Sequence, residues 1–417
     1  MRSNKKFNEG SPNLRAFTIF VGNLIVLPLR ANQALGTFPF CYNQSNNSLT
    51  FSCLSFPFFF MVLRILFTFT PSIIFRFIRH DITVLYSFLS GTEQFVQVTV
   101  NALSASIDLI CLAVMIRKRI QVTTFFTALT TKVVELIMQG YNKLDEMEAK
   151  IMLRRRRRLN VCMGIVFLLS VASYIFTLIH YCLEASESAT VWWKPVLVSF
   201  LSLFWIMLNQ LRLLTFYFCI SIIICFRAAF LSLYLKVGHK KANQSNRIFW
   251  VVEMYKEVEI LLEEFHSVFE YQLMNISYSF VLPTINSTFQ ISKLLTTGEI
   301  GKLEWNELAT LIPHVISATL TFAILCDACT GMTDAAVKCV SSFRQASTIS
   351  ELHDDMQDKL LMFYTSALAK PPRINPGKFF FLGRQALPSI LGLVTTYLIV
   401  LQQFKQQEDL TKSSNHH

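Results

Sequence analysis

Residues 195–235 read PVLVSFLSLFWIMLNQLRLLTFYFCISIIICFRAAFLSLYL. After Pro195 this stretch has no helix breaker, and Arg212 and Arg227 are its only charges. As a helix it extends about 60 Å at 1.5 Å per residue, twice the thickness of a hydrocarbon core of about 30 Å. The apolar residues run continuously and do not alternate, which excludes an outer-membrane strand. Tilt absorbs part of the excess length, and the remainder is expected to project from the bilayer into the cytoplasm.

Working outward, six more stretches are long enough to span: Phe51–Ile78, Ile82–Ile116, Leu159–Leu183, Val268–Leu295, Leu308–Cys329 and Phe379–Phe404. The expected fold class is all-α, a polytopic membrane protein with seven transmembrane helices. Composition agrees. Of 417 residues 53% are hydrophobic and 16% charged, where a soluble chain carries roughly 25%. The 13 Gly and 12 Pro are too few for collagen-like or linker-rich chains. Ala16–Leu29 is short for a span and follows Arg2, Lys5 and Lys6. It reads as an interfacial or re-entrant helix, with a cleaved signal peptide as its rival.

The net charge of +11 is informative by position. Of the 38 Lys and Arg, 27 fall in segments on the N-terminal side of the membrane and 6 on the opposite side. The run Arg154–Arg158 is the strongest anchor. The excess places the N-terminus in the cytoplasm and the C-terminus outside. Basic residues so distributed serve topology and do not point to a nucleic-acid partner. A G-protein-coupled receptor has the reverse orientation, and no Asp-Arg-Tyr-type motif follows the third span. That class remains the alternative, together with a transporter, although no repeat between the halves is evident.

The segment 248–276 contains no Gly or Pro. Val258, Leu261, Leu262, Phe265, Val268 and Phe269 recur at helical spacing, with Glu253, Lys256, Glu257, Glu263 and Glu264 on the other side. An amphipathic helix therefore runs straight into the fifth span. Residues 351–369 repeat the pattern, with Leu352, Met356, Leu360 and Phe363 on one face. Pro371, Pro372, Pro376 and Gly377 then break the chain before the last span. Together these predict a cytoplasmic helical layer, either a subunit-assembly surface or an ordinary intracellular bundle.

No enzyme constellation emerges. The eight His are scattered, no phosphate loop is present, and Cys326-x-x-Cys329 lacks the second pair that a metal site needs. No cofactor is expected. Five Asn-x-Ser/Thr sequons fall mostly in segments assigned to cytoplasm or bilayer.

Polar residues inside spans are expensive and tend to mark function. In the outer halves of the spans these are Gln94, Gln97, Asn101, Tyr174, Tyr181, Trp205, Asn209, Asn286, Gln290 and His314. A pocket of aromatics and amides suits a small polar or amphipathic organic molecule. Hydrogen bonding between helices is the other reading of each.

The last span ends Thr396-Tyr397-Leu398-Ile399-Val400-Leu401-Gln402-Gln403-Phe404. This resembles the signature of the insect gustatory receptor family: Thr-Tyr, five mostly apolar residues, then Gln-Phe. Gln402 departs from it, being polar at the fifth, usually apolar, position. Sugar-receptor members carry an acidic residue after the Tyr, where this chain has Leu398. The resemblance implies a ligand-gated, non-selective cation channel of the plasma membrane of sensory neurons. It implies a homo- or hetero-tetramer of related subunits, opened by a small-molecule tastant, with membrane lipids as its surroundings. It further implies Gln402, Gln403 and Phe404 at the pore constriction and the cytoplasmic helix ends as the anchor between subunits. Amide oxygens there replace part of a cation's hydration, and a ring of Phe dewets and closes the path. An ordinary helix end at the membrane interface is the alternative for these residues.

The resulting organisation has a cytoplasmic segment at 1–50 and a helical domain with pocket and cytoplasmic extensions at 51–329. A loop with an anchor helix follows at 330–378, then the pore-lining helix at 379–404 and an extracellular tail at 405–417.

Overall fold

The computed structural model describes residues 193–238, 244–296, 302–347 and 354–414, the stretches 40–43, 48–52, 113–133 and 160–169, and isolated residues between 29 and 179. Three long helices form its centre: α2 (Trp193–Gly238, 46 residues), α3 (Gln244–Thr296, 53 residues) and α4 (Lys302–Ser347, 46 residues). At 1.5 Å per residue they run about 70, 80 and 70 Å. They pack on one another in all three pairings. A shorter helix α1 (Arg119–Ala128) continues as a π turn over Leu129–Val133 and lies against α3. The helix α5 (Asp354–Ala369) packs on α4, and α6 (Ala386–Ser414) lies along α3 and α4.

Each helix buries the residues its periodicity selects. α3 buries Val251, Tyr255, Val258, Leu262, Phe265, Phe269 and Leu273, three or four residues apart. Its Glu253, Lys256, Glu263 and Glu264 stay exposed. α2 is apolar on all sides and is buried accordingly between Phe216 and Leu233. α4 contributes Phe322, Leu325, Cys329, Met332, Ala336, Cys339 and Phe343. The small residues among these let α2 approach closely. At Gly331 a Cβ would collide with the guanidinium of Arg227.

An aromatic chain stitches the layers together. Phe125 of α1 lies 6.1 Å from Phe265 and 6.0 Å from Phe269. Phe226 and Phe218 of α2 meet the same two rings, each at 5.9 Å. Further along, Tyr255 sits between Phe230 at 5.2 Å and Phe363 of α5 at 5.4 Å. Phe363 also meets Phe343 edge-on at 5.5 Å. Offset and edge-on geometries of this kind suit the ring quadrupole. Toward the other end of α3, Phe280 stacks on Phe322 at 4.6 Å.

Several expected boundaries move. The fourth span lies within α2. The amphipathic segment and the fifth span are one helix: no Gly or Pro breaks 248–276, and the helix also runs through Pro283. The sixth span extends from Cys329 to Ser347 because nothing breaks the helix there. The last helix begins at Ala386, not Phe379, and continues past Phe404 through most of the expected tail. The apolar run Phe379–Leu382 folds back instead. Gly377 and Lys378 take left-handed dihedrals (φ 59° and 60°), and the Leu382 amide donates to the Ile374 carbonyl at 2.8 Å.

The fold class needs one addition. β1 (Phe40–Asn43) and β2 (Ser48–Phe51) form an antiparallel hairpin pairing Phe40 with Phe51. Phe51 ends a strand and does not open a helix as expected for the first span. The hairpin packs against α1, where Arg119 lies 5.5 Å over the Phe51 ring. Of Ala16–Leu29 only Leu29 is described, buried and helical. Most of the first and second stretches, and ten residues of the third, lie outside the described residues.

Among the described residues four helical segments are long and apolar enough to cross a membrane: Arg119–Ile137, Leu213–Val237, Leu311–Arg344 and Ala386–Phe404. The last three coincide with expected spans. The first lies in the segment expected to be a cytoplasmic loop.

Candidate functional site

α6 separates its residues into two faces. Leu387, Ile390, Val394, Leu398, Leu401 and Gln402 recur at spacings of three and four and are buried or half-buried. Leu387 and Ile390 pack on the core of the bundle. Thr396 and Gln403 are seven residues apart, two turns of helix, and share one exposed row. Tyr397 and Phe404 form the adjacent row, 53% and 58% exposed. The four fixed residues of the Thr-Tyr/Gln-Phe signature thus stand together on the side of α6 that the rest of the chain leaves uncovered. Leu391, Leu393, Ile399 and Val400 extend the same apolar surface. Thr396 turns its hydroxyl back to the Gly392 carbonyl at 3.0 Å, so it burdens that surface with no free donor.

Gln402 points the other way. Its amide nitrogen donates to the Ser292 hydroxyl of α3. Sequence reasoning grouped Gln402 with Gln403 because they are adjacent, but about 100° of helical turn separates neighbours.

The base of α6 is held by three contacts. Arg384 donates Nη2 and Nε to Oδ1 of Asp327 at 2.5 and 3.0 Å, and its backbone N–H to Thr330 Oγ1 at 2.9 Å. One strand of the preceding loop is fixed by Thr333 Oγ1, which donates to the Pro372 carbonyl at 3.0 Å. Asp327 and Thr330 carry no signal in the sequence beyond a polar residue in an apolar helix.

The expected ligand residues divide unevenly. Asn286 and Gln290 stand one turn apart on α3, both half-buried. Ser292 lies half a turn beyond Gln290. Trp205 and Asn209 lie on α2 and His314 on α4, next to the helix-interior Pro313. Gln94, Gln97, Asn101, Tyr174 and Tyr181 lie outside the described residues. A groove of about 480 Å³ opens elsewhere, between Leu49 and the α1 threonines Thr123, Thr124, Thr127 and Thr131. It shares no residue with the expected pocket.

In the amphipathic half of α3, His266 is half-buried with Nε2 out of solvent and unpartnered, and that burial pushes its pKa down to about 4. Burial raises the Glu259 carboxyl above its usual range, with Glu263 adding to the effect. Among the described residues no group of His, Cys, Asp and Glu is arranged to hold a metal ion.

A bundle of long helices thus ends in an apolar helix largely uncovered by the rest of the chain. The chain belongs to the 7tm chemosensory receptor family, whose model matches residues 28–408. This places it among receptors and not enzymes. It is similar to Gustatory receptor 68a of Drosophila melanogaster, 28% identical over 141 residues. That match covers 33% of this chain and 35% of the relative, so the chain spans about a third of the length of the curated relative it matches. The fold is similar to that of the insect olfactory receptor OR5 from Machilis hrabei in complex with eugenol, with TM-score 0.65 and 14% identity. The likeness covers 94% of this chain and 100% of that one. The structure of the same receptor described without eugenol gives TM-score 0.60 at 14% identity, covering 94% and 98%.

Proposed function

We propose that this gustatory-type receptor is a ligand-gated, non-selective cation channel of the plasma membrane of sensory neurons, opened by a small organic tastant. Four subunits, identical or related, place their α6 helices around one central path. The observation that carries this reading is the uncovered face of α6. Between Ala386 and Phe404 only Ala386 and Val394 are buried, so an apolar helix long enough to cross the bilayer lacks cover on most of its circumference. Around a central axis the row Thr396–Gln403 offers amide oxygens to a cation, and the row Tyr397–Phe404 offers rings that dewet and close the path. Asn286 and Gln290 contribute to the ligand pocket, and the fold shared with a eugenol-binding receptor supports a small organic ligand. The N-terminus is cytoplasmic. The aromatic cluster of α2–α5 forms the layer beneath the membrane, where α5 exposes Leu361, Met362 and Leu368 to neighbouring subunits.

The test is current recording from cells expressing the chain, alone or with related subunits, across a broad tastant panel with G-protein signalling blocked. Ligand-evoked cation current is expected. Gln403→Ala and Phe404→Ala are expected to change conduction or gating more than the ligand dose dependence. A pure affinity shift with intact permeation overturns the pore assignment. Absence of current despite surface expression overturns the channel. An N-terminal epitope accessible on intact cells would favour a G-protein-coupled receptor.

A further inference from the structure

We infer that Gln402 and Ser292 form a latch that holds α6 in the closed rotational setting and couples it to the pocket-bearing part of α3. The inference rests on the reading of α6 as the pore helix. Two observations carry it. The Gln402 amide donates to the Ser292 hydroxyl, a bond between two separate helices. Ser292 stands two residues beyond Gln290 and six beyond Asn286, at the end of α3 that bears the pocket residues.

The direction of the effect follows from helix geometry. Each residue turns α6 by about 100°. With Gln402 fixed on α3, Phe404 lies about 200° round, facing directly away from α3, and Gln403 lies to the side. The face opposite α3 is the uncovered one. The hydrogen bond therefore aims Phe404 at the axis, the closed arrangement. Bringing Gln403 to the axis needs a turn of about 100°, which carries Gln402 off Ser292. Ligand contacts at Asn286 and Gln290 that displace this end of α3 break the same bond. Gln402 and Ser292 are positioning residues, acting on Gln403 and Phe404 and not on the permeating ion.

The experiment measures ligand-independent cation current per surface receptor in cells expressing the full chain. Gln402→Leu, Ser292→Ala, the double variant and Phe404→Ala are compared with the parent. Gln402→Leu and Ser292→Ala should each raise basal current by about threefold, the size of a typical hydrogen bond between membrane helices. The double variant should raise it no further than either single. The reciprocal exchange Gln402→Ser with Ser292→Gln should return basal current toward the parent, which a packing defect would not do. If Phe404→Ala conducts while both latch variants stay at the parental level, or their effects simply add, the latch is overturned and the channel stands. If no variant conducts above untransfected cells, Phe404→Ala included, the channel reading falls and the latch with it.

Discussion

Arg384, two residues before the last helix begins, reaches back to Asp327 on α4 and places two guanidinium nitrogens, Nη2 and Nε, on the same carboxylate oxygen, at 2.5 and 3.0 Å. The side chains are 69% and 60% exposed, so water and salt screen the pair. Asp327→Asn and Arg384→Gln are each expected to lower the melting temperature of the detergent-solubilised receptor slightly, more at low salt than at high. The reversed pair Asp327→Arg with Arg384→Asp should recover most of the loss. A loss independent of salt would show that Asp327 acts through packing.

Tyr255 presents the opposite case. Its ring is held by Phe230 and Phe363, but its hydroxyl is buried without a hydrogen-bond partner. A buried polar group left unpaired costs free energy. Tyr255→Phe should therefore leave thermal stability unchanged or raise it. Tyr255→Ala should cost about 3–5 kcal/mol, as for other large aromatics removed from cores. A marked loss in the Phe variant would reveal a partner for the hydroxyl.

The turn between α5 and α6 depends on two successive left-handed residues. At Gly377 a Cβ would strike the Met274 sulfur and the Phe379 ring, and the dihedral itself disfavours L side chains. Gly377→Ala is expected to destabilise by about 1–2 kcal/mol from the backbone alone. Lys378→Gly, relieving the second such residue, should keep or raise stability, and Lys378→Val should lower it. Melting curves of the three variants test the assignment; equal behaviour at both positions of the pair would contradict it.

His266 makes acid an antagonist of the packing between α3 and its neighbours. Its folded-state pKa of about 4 lies below the ordinary 6.5, so the folded protein binds the proton less readily than the unfolded chain. Stability from this site is complete above pH 6.5 and is lost as pH falls from there toward 4. His266→Phe should flatten that part of the pH–stability curve without altering the plateau near pH 8. An unchanged slope would place the acid sensitivity elsewhere, and not at Glu259, whose raised pKa makes the folded state gain stability as pH falls.

Much of this architecture was legible because helices advertise their buried faces. The stripe Val258, Leu262, Phe265, Phe269 and the acidic residues opposite it define this part of α3 in the sequence itself. The break at Pro371–Gly377 likewise separated the last two helices. Phe379–Leu382 misled because hydropathy sees four apolar residues and not the left-handed pair that turns them back. The hairpin was hidden by its brevity, although Phe40, Tyr42, Leu49 and Phe51 alternate with smaller or polar neighbours. At the end of α6, adjacency concealed that Gln402 turns to Ser292 while Gln403 lies on the exposed face. Arg384 and Asp327 are far apart in sequence, and nothing short of the folded turn brings them together.

α3 runs as one helix from the aromatic cluster around Tyr255 past Asn286 and Gln290. From Tyr255 to Asn286 is 31 residues, about 46 Å of one helical rod, in which Pro283 leaves out a single backbone hydrogen bond. Such a rod is a shaft, and its two ends are locked in rotational phase. Inserting or deleting one residue between Phe269 and Gln290 would preserve hydropathy and helix content alike, yet turn the outer end by about 100° against the inner one. Substitutions along the shaft are thus local events, while a single-residue change in its length would misalign every contact beyond it. The length of this helix is as much a part of the receptor's specification as its composition.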